Sequence, residues 1–447
     1  MLGKDQALDI VHQALDAAKG SEQAEALLFY SESALTRFAE NHIHQNVAET
    51  SVNLQIRVIE GKKIGVASGN RTDPEGIQKI VESAQTVARN VDPTPDFISL
   101  PKPEPWKPVN AWHDATAHQS PEDRAHAIGQ LLDIVKAKSF RAAGSYSADA
   151  TEMAIANSLG IAGYHPYTTA ELTTVVMGDG CSGYAHYGAG DVRKIDAKAA
   201  GQEATDKCFR GLNPREVDAG KYDVILEEDA VVELMNWMDF QYFSARAVEE
   251  GRTFMSPFNF KAMGDNVTIY DDASDPSGIP APFDYEGYPA KKVMLIEKGV
   301  TKAVVYDSFY ANKEGKPNTG HALPGGSGES PIPMHLFLAA GDVPKEKMLE
   351  RIERGIWVSR FHYVNGFVDP INTIFTGMTR DGTFLIENGK IVGPIKNLRF
   401  TQSMLEAFSS VDCLTPTRKV FSSFGMGGMV LPAVLIRGFS FSSKTGH

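Results

Sequence analysis

The stretch that most constrains this chain is Tyr222 to Gly251, YDVILEEDAVVELMNWMDFQYFSARAVEEG, which reads as a short buried strand feeding a long helix. Glu227, Glu228 and Asp229 put negative charge on the first turn, where the helix dipole favours it, and Gly251 can end the helix in a left-handed cap. Val231, Leu234, Met235, Met238, Tyr242 and Ala245 recur at three- and four-residue steps and form one apolar stripe. A helix entered in this way is where a hydrolase can carry metal ligands at helical spacing. Here neither His nor Cys occurs between Cys208 and His321, so the region offers zinc no nitrogen or sulfur ligand.

Around this helix the chain is too long for one core: 447 residues predict two domains, 1–212 and 213–447, divided at Gly211-Leu212-Asn213-Pro214. In the first, periodicity predicts helices over 4–19 and 195–208, and two more that open at Pro74 and Pro121 behind the caps Asp73 and Ser120. A strand at 24–30 is followed by alternating runs at 35–49, 51–61 and 62–70, expected as an antiparallel meander, and by strands at 142–148, 151–156 and 170–177. Six prolines between Asp92 and Pro108 predict an extended arm. Beyond residue 250 come short apolar runs punctuated by Gly and Pro, at 267–272, 291–299, 303–310, 335–341, 355–361, 383–393 and 434–442. The predicted class is α+β, with an N-terminal α+β domain followed by a strand-rich, barrel- or sandwich-like C-terminal domain.

A net charge of −12 with no Lys/Arg cluster repels a phosphate backbone, so direct binding to nucleic acid is not expected. The first residues form an amphipathic helix, not a signal peptide, and no 18-residue apolar window predicts a membrane span. Cys181, Cys208 and Cys413 are odd in number and far apart in sequence, which suits free thiols in a reducing cytoplasm.

Candidate chemistry is sparse. His113 and His118 stand five apart in a connector, and His42 and His44 share one face of a strand, but neither pair has a third ligand nearby. No G-x-S-x-G elbow occurs, and the glycine-rich run 325–329 lacks the lysine and hydroxyl of a phosphate loop. Gly425 to Gly428 is expected as a turn. Cys413 could act as a nucleophile or ligand only beside a base or further ligands, and a buried structural thiol is the favoured expectation. Asp284 and Glu286 before Gly287 could face a hard cation, yet one carboxylate pair cannot fill an octahedral shell. A structural loop at a cleft or subunit contact is preferred, with Thr319, Gly320 and His321 as further cleft candidates.

Taken together, TRFAENHIHQ at 36–45, NSLG at 157–160, FSARAVEEGRTF at 243–254 and DYEGYPAKKVMLIEKG at 284–299 resemble the TldD/PmbA family, once described as modulators of DNA gyrase. NTGHA at 318–322, LAAGD at 338–342, RGIWVSRF at 354–361 and GTFLIENGKIVGPIKNLRF at 382–400 extend the resemblance over nearly the whole chain. It implies one of two subunit types. TldD-type subunits look like metallopeptidases with HExxxH on the opening helix and a cysteine near the C-terminus; PmbA-type (TldE) subunits lack the ligands and pair with TldD to degrade unfolded peptides. By register, Asn236, Trp237 and Gln241 stand where His, Glu and His would be, and Cys413 lies in the general region of the family's cysteine without a clear match around it. The resemblance therefore implies the non-catalytic type, without zinc, partnered as a heterodimer by an HExxxH paralogue or as a homodimer. The alternatives are a metallopeptidase with rearranged, zinc-binding ligands and a homodimeric regulator that binds a peptide or small molecule.

Overall fold

Alternation of apolar and polar residues in the first half is realised as long antiparallel strands. The computed structural model describes residues 1–325, 331–422 and 427–445. Among them β1 (Gln23–Ala39), β2 (His42–Glu60), β3 (Lys63–Gly69), β4 (Arg141–Asn157), β5 (Ala162–Gly178) and β6 (Cys181–Ala189) form one sheet in the order β3-β2-β1-β4-β5-β6. Every pairing in it is antiparallel. The predicted run 35–49 is split by a turn at Glu40 and Asn41, both left-handed at φ 48° and 62°, and its second half joins the next run as β2. β3 covers β2 only from Leu54 to Glu60, so among the described residues no strand pairs the other side of 42–53 of β2.

Two helix pairs cover this sheet. α1 (Lys4–Ala17) and α2 (Pro74–Asn90) bury Ala7, Ile10, Val11, Ile77, Val81 and Ala84 against β1 and β2. After the short α3 (Asp114–Ala117), α4 (Pro121–Lys136) and α5 (Ala197–Arg210) pack Ile128, Leu131, Ala200 and Ala204 against β4 to β6. The caps are those the sequence shows: Asp73 accepts from Gly76 N–H, and Ser120 and Asp123 complete a reciprocal capping box. The proline-rich arm is extended and seats Phe97 and Leu100 against Ile59 and Ile64.

The second half is a mixed sheet of β7 (Gly220–Leu226), β8 (Ile269–Asp271), β9 (Val293–Glu297), β10 (Val300–Thr301), β11 (His335–Leu338), β12 (Arg354–Asp369), β13 (Ile374–Glu387), β14 (Lys390–Pro394), β15 (Leu398–Ser403), β16 (Val411–Ser422) and β17 (Gly428–Lys444). The pairings β17-β15-β13-β12-β7 close on themselves, because β7 also pairs β17, Val434 opposite Leu226 and Ile436 opposite Val224. The α+β class therefore holds, and the C-terminal sheet is barrel-like. α6 (Glu228–Tyr242) lies on one face of these strands with Val224, Leu226, Ile356, Val358, Val434 and Ile436, and its predicted stripe is buried throughout. Intervening residues Ile225, Ile386 and Leu435 point to the opposite face, under Met348 and Ile352 at α9 (Lys345–Leu349).

Two expectations are corrected. The helix does not run to Gly251: it stops at Tyr242, and Ser244 caps a separate α7 (Ala245–Glu249) by accepting from Ala247 N–H. The run 303–310 is not a strand but enters α8 (Ser308–Glu314), whose cap Asp307 accepts from Tyr310 N–H. The expected turn at 425–428 lies partly outside the described residues; of it Gly427 and Gly428 are described, and a Cβ on Gly427 would meet the Met334 carbonyl oxygen at 1.8 Å. Of the glycine-rich run 325–329, all but Gly325 lie outside the described residues. α10 (Met404–Ser409) completes the helices described.

Candidate functional site

The positions that the resemblance assigns to metal ligands sit on the second half of α6, in three different surroundings. Asn236 is exposed. Trp237 is half-buried and donates its indole N–H to the Val364 carbonyl of β12 at 2.9 Å. Gln241 is buried, and its side-chain amide finds no hydrogen-bond partner among the described residues. β12 closes over this face at Gly366, where a Cβ would stand 2.4 Å from Gln241 Nε2 and 3.0 Å from Trp237. Next to it Trp237 and Phe240 meet the Phe367 ring edge-on at 5.0 and 6.2 Å. Phe240, Tyr363, Phe367, Val368 and Ile371 are half or more exposed, so the closed helix face ends in an apolar platform.

Cys413 does not reach this helix. It is buried with Ile225, Ile386 and Leu435, the set facing away from α6, and burial, then Asp412, pushes its thiol up to about 11. The Asp412 carboxylate beside it is engaged by Arg351 and Arg437, and burial leaves the thiol without a water-exposed approach.

Asp284, Glu286 and Gly287 fasten the two sheets together. Asp284 Oδ1 accepts from the backbone N–H of Glu286 and Tyr288, and Oδ2 from that of Ala322 at 2.9 Å, which brings the DYEG and NTGHA segments side by side. Glu286 reaches Arg57 of β2 at 2.9 Å, where the same guanidinium holds Glu25 at 2.7 Å. Gly287, at φ +72°, lies against Ile161 and Ile155, and a Cβ would meet Ile161 at 2.5 Å. Every carboxylate oxygen of Asp284 is used by backbone, and the loop is a contact within the chain.

Half-buried Thr319 and buried His321 form a relay toward Asp271, with Gly320 between them in the chain. His321 Nε2 lies 3.0 Å from Asp271 Oδ1, and its Nδ1 lies 3.0 Å from Thr319 Oγ1. The composition is that of a hydroxyl, imidazole and carboxylate triad, but the hydroxyl is occupied: it donates to the Tyr306 carbonyl and accepts from Tyr306 N–H. Gly320 is pressed to 2.2 Å of the Pro289 oxygen by the same measure of an added Cβ. Burial alone would raise the Asp271 carboxyl; the neighbouring His321 and His335 hold it below the ordinary range. Asp239 of α6 faces it, and burial, then the Asp271 charge, keeps Asp239 well above the usual value. Asp239 and His335 escape a reading of the sequence; the only local sign is a carboxylate set between buried residues of the α6 stripe.

The acidic first turn of α6 has a role beyond its dipole. Lys207 of α5, almost fully buried, stands 2.7 Å from both Glu203 and Glu227. Lys345 meets Glu228 at 2.6 Å, and Lys419 meets Asp229 at 2.9 Å and Glu203 at 3.4 Å. Burial works against Glu203, but Lys207 and Lys419 hold its carboxyl down, at about 2. His113 and His118 do not converge: the first lies 3.7 Å from Asp191 and the second bonds the Asp114 carbonyl. His42 and His44 stay on the exposed strand β2, and among the described residues no group of three His, Cys, Asp or Glu could hold a metal.

A small antiparallel sheet with paired helices, joined to a self-closing mixed sheet that carries one buried helix, defines the class of chain. It belongs to the PmbA/TldD family: the PmbA/TldA metallopeptidase C-terminal domain matches residues 219–443 and domain 1 matches 24–88. Metalloprotease PmbA of Escherichia coli O157:H7 is 22% identical over 451 residues, 96% of each chain. A Metalloprotease TldD homolog of Buchnera aphidicola is 29% identical over 147 residues, 32% of this chain and 30% of that one. The crystal structure of TldE from Thermococcus kodakarensis superposes with a TM-score of 0.87 at 20% identity, over 97% of this chain and 99% of the other, which shows a shared fold.

Proposed function

We propose that this chain is a non-catalytic subunit that pairs with an HExxxH-bearing TldD-type paralogue and helps it degrade unfolded peptides. The observation that carries the reading is the packing of the α6 face at 237 and 241, where β12 closes over Trp237 and Gln241 and takes the indole N–H in a hydrogen bond. Asn and Gln offer zinc a neutral carbonyl oxygen, and indole has no basic group to activate water. The exposed apolar platform of Phe240, Phe367 and Ile371 beside it suits a partner chain. Residues 42–53 of β2, which β3 does not pair, offer an open edge that could take an extended peptide through main-chain hydrogen bonds.

Co-expression with the HExxxH paralogue of the same genome tests this. A complex that cleaves unfolded peptides only when both chains are present, and that Phe367→Asp dissociates, is the expected result. Full activity of the paralogue alone with no complex at micromolar concentration overturns it. One zinc per chain in untagged protein, lost on replacing a histidine or Cys413, would favour the metallopeptidase with rearranged ligands instead. A stable homodimer indifferent to the paralogue would favour the regulator.

A further inference from the structure

Two of the three cysteines, 27 residues apart in sequence, meet in the fold. Cys181 opens β6 and Cys208 lies in the last turn of α5; both are free thiols, with Sγ atoms 2.9 Å apart. Glycines make this contact possible. A Cβ on Gly183 would meet the Ala204 oxygen at 2.1 Å and Cys208 N at 2.6 Å, so α5 lies directly on the β6 backbone. Gly178 is the register partner of Cys181, and a Cβ there would press on its Sγ at 2.7 Å. Cys208 is buried, whereas Cys181 is half-buried and lines a cavity of about 580 Å³ between the two sheets. Arg141, Arg380 and Lys396 also line it; their side chains are 61%, 50% and 44% exposed, and their nearest carboxylates stand at 3.4, 3.9 and 3.1 Å, while the lining carboxylate, Asp381, is buried and paired with Arg360.

We propose that Cys181 and Cys208 form a reactive thiol pair for anionic low-molecular-weight disulfides that enter this cavity. The Cys181 thiolate attacks one sulfur of the disulfide RSSR; that S–S bond breaks, and the first RS⁻ leaves with the proton Cys181 released. Cys208 then loses its proton to water and attacks Cys181 Sγ, the mixed disulfide breaks, and the second RS⁻ leaves and is protonated. The protein gives up two electrons and two protons, and one RSSR becomes two RSH. The order follows burial. Burial pushes the Cys208 thiol well up, followed by its hydrogen bond to and the charge of Cys181, and those last two causes vanish once Cys181 is held in a mixed disulfide. The three cations favour a disulfide that carries carboxylates. Cys413, buried on the far face of the second sheet, takes no part.

The test treats the full chain with oxidised glutathione or with cystamine, a cationic probe, and follows free thiols and peptide masses. Two of the three thiols should be lost and one peptide linking Cys181 to Cys208 should appear. Relative to each reagent's rate with the urea-unfolded chain, glutathione should react several-fold faster than cystamine. Cys208→Ala should stop at a glutathione adduct on Cys181, and Cys181→Ala should leave Cys208 unmodified. Native protein that forms no cross-linked peptide, or that reacts first at Cys413, overturns the pair, and this readout needs no variant to fold. Equal normalised rates for the two reagents overturn the role of the cavity cations.

Discussion

Replacing Glu25 by glutamine probes the charge balance of the cluster that joins the two sheets. One guanidinium, Arg57, serves two carboxylates, at 2.7 Å for Glu25 and 2.9 Å for Glu286, and all three groups are less than a tenth exposed. Burial pushes Glu25 from 4.5 to about 7 against the pull of Arg57, and the Glu286 charge adds to the rise. Asp307 is raised to about 7 by burial and by the same Glu286. In the unfolded chain these carboxyls titrate at their ordinary values. Between about pH 4.5 and 7 the folded state therefore binds more protons than the unfolded one, and this group's contribution to stability falls as pH rises through that window. A carboxyl raised from 4.5 to about 7 costs the fold about 3 kcal/mol once it is ionised above pH 7. Glu25→Gln keeps an oxygen for Arg57 Nη2 and removes the titration. In urea unfolding followed by tryptophan fluorescence, the variant minus native difference should grow more favourable from pH 5 to pH 8 by about 2–3 kcal/mol. Arg57→Met should do the reverse, costing about 3–5 kcal/mol at pH 8 and less at pH 5, where protons replace the missing cation. A Glu25→Gln difference that is flat with pH, or that worsens toward pH 8, refutes the reasoning.

Further predictions follow from the same contacts. Lys207→Met leaves Glu203 and Glu227 buried without the ammonium now 2.7 Å from each, and should cost about 3–5 kcal/mol by urea unfolding; a loss below about 1 kcal/mol would mean that Lys419 and Lys345 suffice. Gly287→Ala combines a left-handed φ of +72° with a contact at 2.5 Å to Ile161, so it should lose about 2–5 kcal/mol in a thermal melt. Gly251→Ala, at φ +66° with nothing within 4 Å, should lose only about 1–2 kcal/mol, and equal losses would remove Ile161 from the account. We place the division between the two folding units at 212/213, so limited proteolysis should cut first within the irregular segment 211–219 and leave two resistant fragments. A first cut inside β4 or β13 would contradict that division.

Much of the local structure was legible. The α6 stripe shows because its apolar residues keep a helical period, and the caps at Asp73 and Ser120 show because proline follows each. Boundaries fared worse where a pattern ran on through a turn: alternation continues across Glu40-Asn41, so one run held the end of β1 and the start of β2. Asp307-Ser308 is a cap inside an apolar run that reads as a strand, and Ser244 is a cap inside a stretch that reads as one helix. At the site, the sequence could say what Asn236, Trp237 and Gln241 cannot ligate, because that depends on side-chain chemistry alone. It could not show β12 closing over them, nor Arg57 reaching Glu286 across 229 positions, since no local period encodes a contact between sheets.

The ring of pairings in the second half also sets an order of events during synthesis. β7 emerges from the ribosome first among its strands, and β17, its partner, emerges last. β17 is also the neighbour of β11, β15 and β16, so four strands wait for residues 428–444. The first sheet, complete by residue 189, can form while translation continues. The nascent second half meanwhile carries α6 with its apolar stripe still lacking Val434 and Ile436 of β17. That interval exposes the chain to holdase chaperones and proteases, and a codon-level slowing between the two halves would lengthen the protected phase without changing one residue of the finished protein.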